Sequence, residues 1–134
     1  MFGQAAFEYL LLFSLILGIL SFLTLYAQQM TVRNREEIMI SNAGIAVNKI
    51  VEAADIVYSQ GKPSQITLSI YIPERVDSIV FSDKMIIMRI AISSGFSDIF
   101  ATSKAPLQGS ISIDSGTKRI RVKAEENYVN VTEV

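Results

Sequence analysis

Residues 5–27 form an uninterrupted apolar run of 23 residues in which Glu8 alone carries a charge at neutral pH. As a helix rising about 1.5 Å per residue, the run is about 35 Å long, enough to cross the hydrocarbon of a bilayer. A domain built from the remaining residues has no interior that could hold it. The segment must bury itself in lipid or against copies of itself. A carboxylate in such a segment costs roughly 2.5–3.5 kcal/mol at mid-membrane, and less near an end. The run supplies no cation. A partner for Glu8 has to come from elsewhere, and a neighbouring chain is a natural source.

Gln4, Glu8 and Leu12 follow one another at steps of four, directly after Gly3. This pattern resembles the class III signal peptide of archaeal type IV pilins. In those precursors a short leader is cut before a Gln, a Glu stands at the fifth mature position and a Leu at the ninth. Carried over here, Gly3 precedes the cut, Gln4 is the first mature residue, Glu8 the fifth and Leu12 the ninth. The chain departs from the pattern twice. Ala6 stands where the family often has Ser, and Met1, Phe2 and Gly3 include no Lys or Arg, whereas leaders are usually basic.

The resemblance implies an architecture and a function. Residues 1–3 are a leader removed by a prepilin peptidase. Residues 4–60 are a long helix whose segment 5–27 serves as membrane anchor and then as assembly surface. Residues 61–134 are a β-rich head. The fold class is α+β, a small antiparallel sheet packed on the second half of the helix. The product is a structural subunit of an extracellular, cell-surface filament for adhesion, with copies of itself and the pilus assembly machinery as partners. Before assembly it is a single-pass protein of the cytoplasmic membrane. The resemblance also gives Glu8 a role: it neutralises the free amine of Gln4 on the adjacent subunit, fixing axial register, because a slip leaves two charges unpaired in an apolar surrounding. The simpler account of Glu8 is an anchor residue held wet at the headgroup level. Two alternatives to the pilin reading remain: a monomeric single-pass surface binding protein, and a minor-pilin or archaellin-like subunit.

Composition narrows the function classes. The formal net charge of −1 provides no global basic field for nucleic acid. Cysteine, histidine and tryptophan are absent, which removes disulfides, thiol chemistry, histidine triads and Cys- or His-based metal sites. Asp77, Asp83, Asp98 and Asp114 are scattered at expected turns and form no carboxylate pair. No enzyme and no cofactor are expected. The apolar run is also too long for a secretory signal, whose core spans about 7–15 residues, and Tyr26-Ala27-Gln28 is a poor cleavage site.

Past residue 27 the helical reading continues, since no Pro occurs before Pro63. Ile40, Ala43, Val47, Ile50, Ala54 and Val57 recur at steps of three and four, one apolar stripe, while Lys49, Glu52 and Asp55 fall off it. Gly61 and Pro63 end the helix near Tyr58. From Gln65 to Ile72 the period becomes 2, with Ile66, Leu68, Ile70 and Ile72 on one face, expected to meet the helical stripe. Residues 78–81 and 84–92 are expected as a strand pair, and residues 110–113, 117–123 and 128–131 as short strands. Asp114-Ser115-Gly116 reads as a hairpin turn and residues 93–108 as a loop carrying Phe96, Ile99 and Phe100.

Four further features have two readings each. Ser14, Gly18 and Ser21 are either ordinary membrane-helix composition or a line for close helix approach. Arg119, Arg121 and Lys123 alternate with apolar residues, as on a strand with one wet face or a basic stripe for an anionic surface. Asn130-Val131-Thr132 is a glycosylation sequon, which matters only if the head is outside the cell. Arg33 and Arg35 flank the apolar run and by the positive-inside rule draw the head towards the cytoplasm, whereas the pattern on Gln4, Glu8 and Leu12 implies export.

Overall fold

A computed structural model describes residues 1–134. One helix, α1, runs Phe2–Gln60 without interruption, and seven strands follow. The chain divides into two compact units, Met1–Glu36 and Glu37–Val134.

Every residue from Met1 to Arg35 is exposed, the large apolar ones included. Gly18 does not break the helix.

In the second unit the end of α1 belongs with the strands. Ala43, Val47, Ile50, Ala54 and Val57 of the expected stripe are all buried, joined by Ala46, Val51 and Ala53, and Ile40 is half-buried. The helix closes on Gly61, which takes a positive φ of 75° and donates its N–H to the Val57 carbonyl at 3.0 Å. Glycine adopts this left-handed backbone without the Cβ penalty.

The strands are β1 (Gln65–Ile72), β2 (Val76–Ser82), β3 (Met85–Ile92), β4 (Gly95–Thr102), β5 (Leu107–Ser110), β6 (Gly116–Ala124) and β7 (Val129–Glu133). They form two sheets, a four-stranded one in the order β1-β6-β7-β5 and a three-stranded one in the order β2-β3-β4. The expectation of one antiparallel sheet is therefore corrected. The fold is α+β, but β5 and β7 pair in parallel within the larger sheet.

β1 spans the expected residues, with Ile70 and Ile72 buried and Ile66 and Leu68 half-buried against the same core. Ile86, Met88 and Ile90 bring the three-stranded sheet into that core. Residues 93–108 are not a loop. They contain β4, which pairs with all of β3 from Met85 to Ile92, and the start of β5. The Ser- and Gly-rich start of this stretch resembles a turn locally, and the long partner strand overrides that preference. The strand expected at residues 110–113 lies earlier, at Leu107–Ser110, because Leu107 through Ser110 align with Val129 through Thr132. Asp114-Ser115-Gly116 joins no hairpin, since β6 pairs with β1 and β7 and not with β5.

Candidate assembly and surface sites

The sequence-derived site residues Gly3, Gln4, Glu8 and Leu12 all lie on α1 and are exposed. Steps of four on a helix advance about 40° per step, so Gln4, Glu8 and Leu12 occupy one side over a little more than two turns. Glu8 forms no ion pair or side-chain hydrogen bond within the chain. The other polar groups nearby behave differently. Ser14 donates to the Leu11 carbonyl, Ser21 to Leu17 and Thr24 to Leu20, each at 2.8 Å. These hydroxyls satisfy themselves on their own helix, which is the cheapest arrangement in an apolar surrounding. Glu8 is left as the one charged group of the run, and it has no partner within the chain.

The small residues make a shallow open notch. Leu11, Ser14, Leu15, Gly18, Ile19 and Phe22 line it, and a Cβ built on Gly18 meets no atom within 4 Å. The backbone there is open to close approach.

A second line of exposed apolar residues was not foreseen. Ile38, Ile45 and Ile56, all in the second unit, are 59%, 51% and 47% exposed. Their spacings of seven and eleven residues return close to the same helical direction, about two turns and then about three. That direction is roughly opposite the buried stripe around Val47 and Ala54, and the exposed Lys49 and Glu52 lie close to it between Ile45 and Ile56. A search for one apolar stripe per helix finds the stronger one and discards this second line.

The remaining candidates lie on the head. Asn130 is half-buried on β7, where it is paired with Lys123 of β6 on one side and Gln108 of β5 on the other. Arg119, Arg121 and Lys123 share the outer face of β6, as alternation required. Lys123 lies 3.7 Å from Glu125, which also approaches Lys62 at 3.8 Å. On the other sheet Arg89 makes a bidentate pair with Asp98 at 2.7 and 2.9 Å and stands over the Phe96 ring at 5.9 Å. The hydrogen bond from Arg89 holds the Asp98 carboxyl below its ordinary range. Lys118 donates to Glu133 at 3.0 Å and also to Ser112, and the bond from Lys118, then those from Ser112, whose N–H donates to Glu133 at 3.2 Å, hold the Glu133 carboxyl low likewise.

No cluster of Asp and Glu side chains has metal-binding geometry, and no buried side-chain polar atom lacks a partner. The molecule is thus an α+β protein with one N-terminal helix long and apolar enough to cross a membrane. It matches no protein-family model, no curated protein and no solved structure.

Proposed function

We propose that this chain is the structural subunit of an extracellular archaeal type IV pilus-like filament, held in the membrane before a prepilin peptidase cuts between Gly3 and Gln4. The observation that carries the reading is Glu8: a carboxylate without a partner in an exposed apolar helix whose Ser and Thr hydroxyls bond to their own backbone. In a polymer the Gln4 amine of the next subunit supplies the missing opposite charge. Apolar helix packing then drives polymerisation, and burial away from water strengthens the pair.

The alternative is a monomeric single-pass anchor, favoured by Arg33 and Arg35 beside the apolar run. Such an anchor accounts for residues 5–27 but leaves Ile38, Ile45 and Ile56 in water. A polymer of parallel helices covers both. Mass spectrometry of the native N-terminus separates the readings. A chain beginning at Gln4 is the expected result, and one that keeps Met1 favours the anchor.

A further inference from the structure

The outer face of the four-stranded sheet has an unusual makeup. Its twelve positions are the outward-facing ones of β1, β5, β6 and β7 by strand register, with Lys123, Asn130 and Thr132 half-buried and the other nine exposed, and none is an Asp or a Glu. Apart from Tyr71 they are Ser, Thr, Asn, Gln, Arg and Lys. The whole sequence has 13 acidic and 12 basic residues, so an ordinary solvated face would mix both signs.

At its centre stand Arg119 and Arg121. Both are exposed and neither forms an ion pair or a side-chain hydrogen bond within the chain. The register puts a hydroxyl beside each of them. Arg121 lies between Thr67 of β1 and Thr132 of β7, and Arg119 lies next to Ser69. The backbone N–H of Val134 bonds to the Arg119 carbonyl at 2.9 Å, placing Val134 at the border of the face. Alternate residues of a strand are about 7 Å apart, so the two Arg side chains leave the same face of β6 within reach of one ligand.

We propose that this face binds an acidic polysaccharide, the two guanidinium forks taking carboxylates and the flanking hydroxyls and amides taking sugar hydroxyls. A guanidinium fits a carboxylate with two parallel hydrogen bonds, which gives orientation as well as attraction. The charge is complementary and the surroundings match a ligand rich in hydroxyls. A nucleic acid fits less well. Duplex binding draws on about six to ten phosphate contacts, and the face has three cations, one of them engaged by Glu125. Single strands want a series of aromatic platforms, and the face has Tyr71 alone. The proposal does not depend on filament assembly.

The test uses the full chain in an uncharged detergent, with immobilised sodium polygalacturonate as probe and uncharged dextran and duplex DNA as comparisons. Binding to polygalacturonate that weakens with salt is expected, with none to dextran. The double variant Arg119→Gln/Arg121→Gln should lose about tenfold or more in affinity, the scale of one lost charge-assisted contact. Changing both to Lys keeps the charge but not the fork and should still lose several-fold. Lys84→Gln/Lys104→Gln removes two cations elsewhere and should leave binding nearly unchanged. Circular dichroism of each variant checks that the head is folded. No binding to polygalacturonate, an equal loss in the two Gln pairs, or tighter binding of duplex DNA through the same arginines would overturn the proposal.

Discussion

The carboxylate of Asp55, on α1, accepts a 2.6 Å hydrogen bond from the Ser103 hydroxyl, 48 residues further along the chain. The same oxygen accepts the Lys104 N–H at 2.8 Å, and Ser103 Oγ in turn accepts the Ala105 N–H at 3.2 Å. One helical side chain thereby fixes the connection between β4 and β5, where Ser103 and Ala105 are both buried. In the sequence Asp55 reads as one more charge off the apolar stripe. Its role depends on a partner that arrives only with the folded head.

Asp55→Ala should therefore destabilise the head by about 1–3 kcal/mol, the usual range when buried donors lose their acceptor. Asp55→Asn keeps an acceptor oxygen and should lose less. Urea unfolding of the full chain in detergent, followed by far-ultraviolet circular dichroism, measures both. A change of a few tenths for Asp55→Ala would show that water replaces the carboxylate.

Ile70 is 2% exposed on β1 and packs in the same core as Val47, Ile50 and Val57. Ile70→Ala should cost roughly 2–5 kcal/mol. Ile66, half-buried near the start of the strand, should cost clearly less when changed to Ala. A change of only a few tenths for Ile70→Ala, read by denaturant midpoint, would mean the faces are reversed, because a slip of one residue would turn Ile66 and Ile70 outward together.

Gly109 is the position at which a single methyl group matters most. Its φ is 146°, and a Cβ would lie 1.8 Å from the Val131 carbonyl oxygen. Gly109→Ala must push β5 away from β7 and break the one parallel pairing of the fold. A loss of about 3 kcal/mol or more is expected, at the severe end for a point substitution. Amide exchange should show β5 losing protection while β2-β3-β4 keeps it. Uniform protection in the variant would rule the clash out.

Stability should fall in acid for a stated reason. The Asp98 carboxyl is held low chiefly by its hydrogen bond from Arg89, and the Glu133 carboxyl chiefly by that from Lys118, then by those from Ser112. In the unfolded chain both titrate in the ordinary carboxylate range. As pH falls, the unfolded state takes up these protons first. Their contribution is therefore complete above that range and drains away as pH drops through the lowered folded values. Both groups are solvent-accessible, so the effect should be modest and weakened by salt. Denaturant midpoints from about pH 6 down to about pH 2.5 test this against the double variant Asp98→Asn/Glu133→Gln, whose curve should be flatter. Equal slopes would assign acid sensitivity to other groups.

Glu8→Gln tests the proposed assembly. Glu8 is exposed, belongs to the unit Met1–Glu36 and is no part of the buried core, so folding should be unaffected. In lipid the change removes a penalty, and the precursor should insert and mature normally. In a filament it deprives the neighbouring Gln4 amine of its counter-charge, and losing one partner of a buried pair typically costs about 3–5 kcal/mol. A normal membrane pool with a much reduced filament yield is expected. Equal yields for variant and wild type would leave the single-pass anchor as the better account.

How much of this was legible in the sequence follows from the range of the interactions. The long helix was legible because 3.6-residue periodicity, the lack of Pro before Pro63 and the stop at Gly61 are all local. β1 was legible for the same reason, since Ile66 to Ile72 alternate without error and Pro73 follows. The apolar run with its single charge at Glu8 also belongs wholly to the sequence, because the run's length and composition fix what surroundings it tolerates. The tertiary structure alone decided the rest. β4 became a strand because β3 lies beside it, and β5 moved because Leu107 to Ser110 align with β7. The split into two sheets, the acceptor role of Asp55 and the face shared by Arg119 and Arg121 with Thr67 and Thr132 all join residues distant in the chain. Hydrogen bonds between such residues form only after loop closure has brought them together, and no local period encodes them.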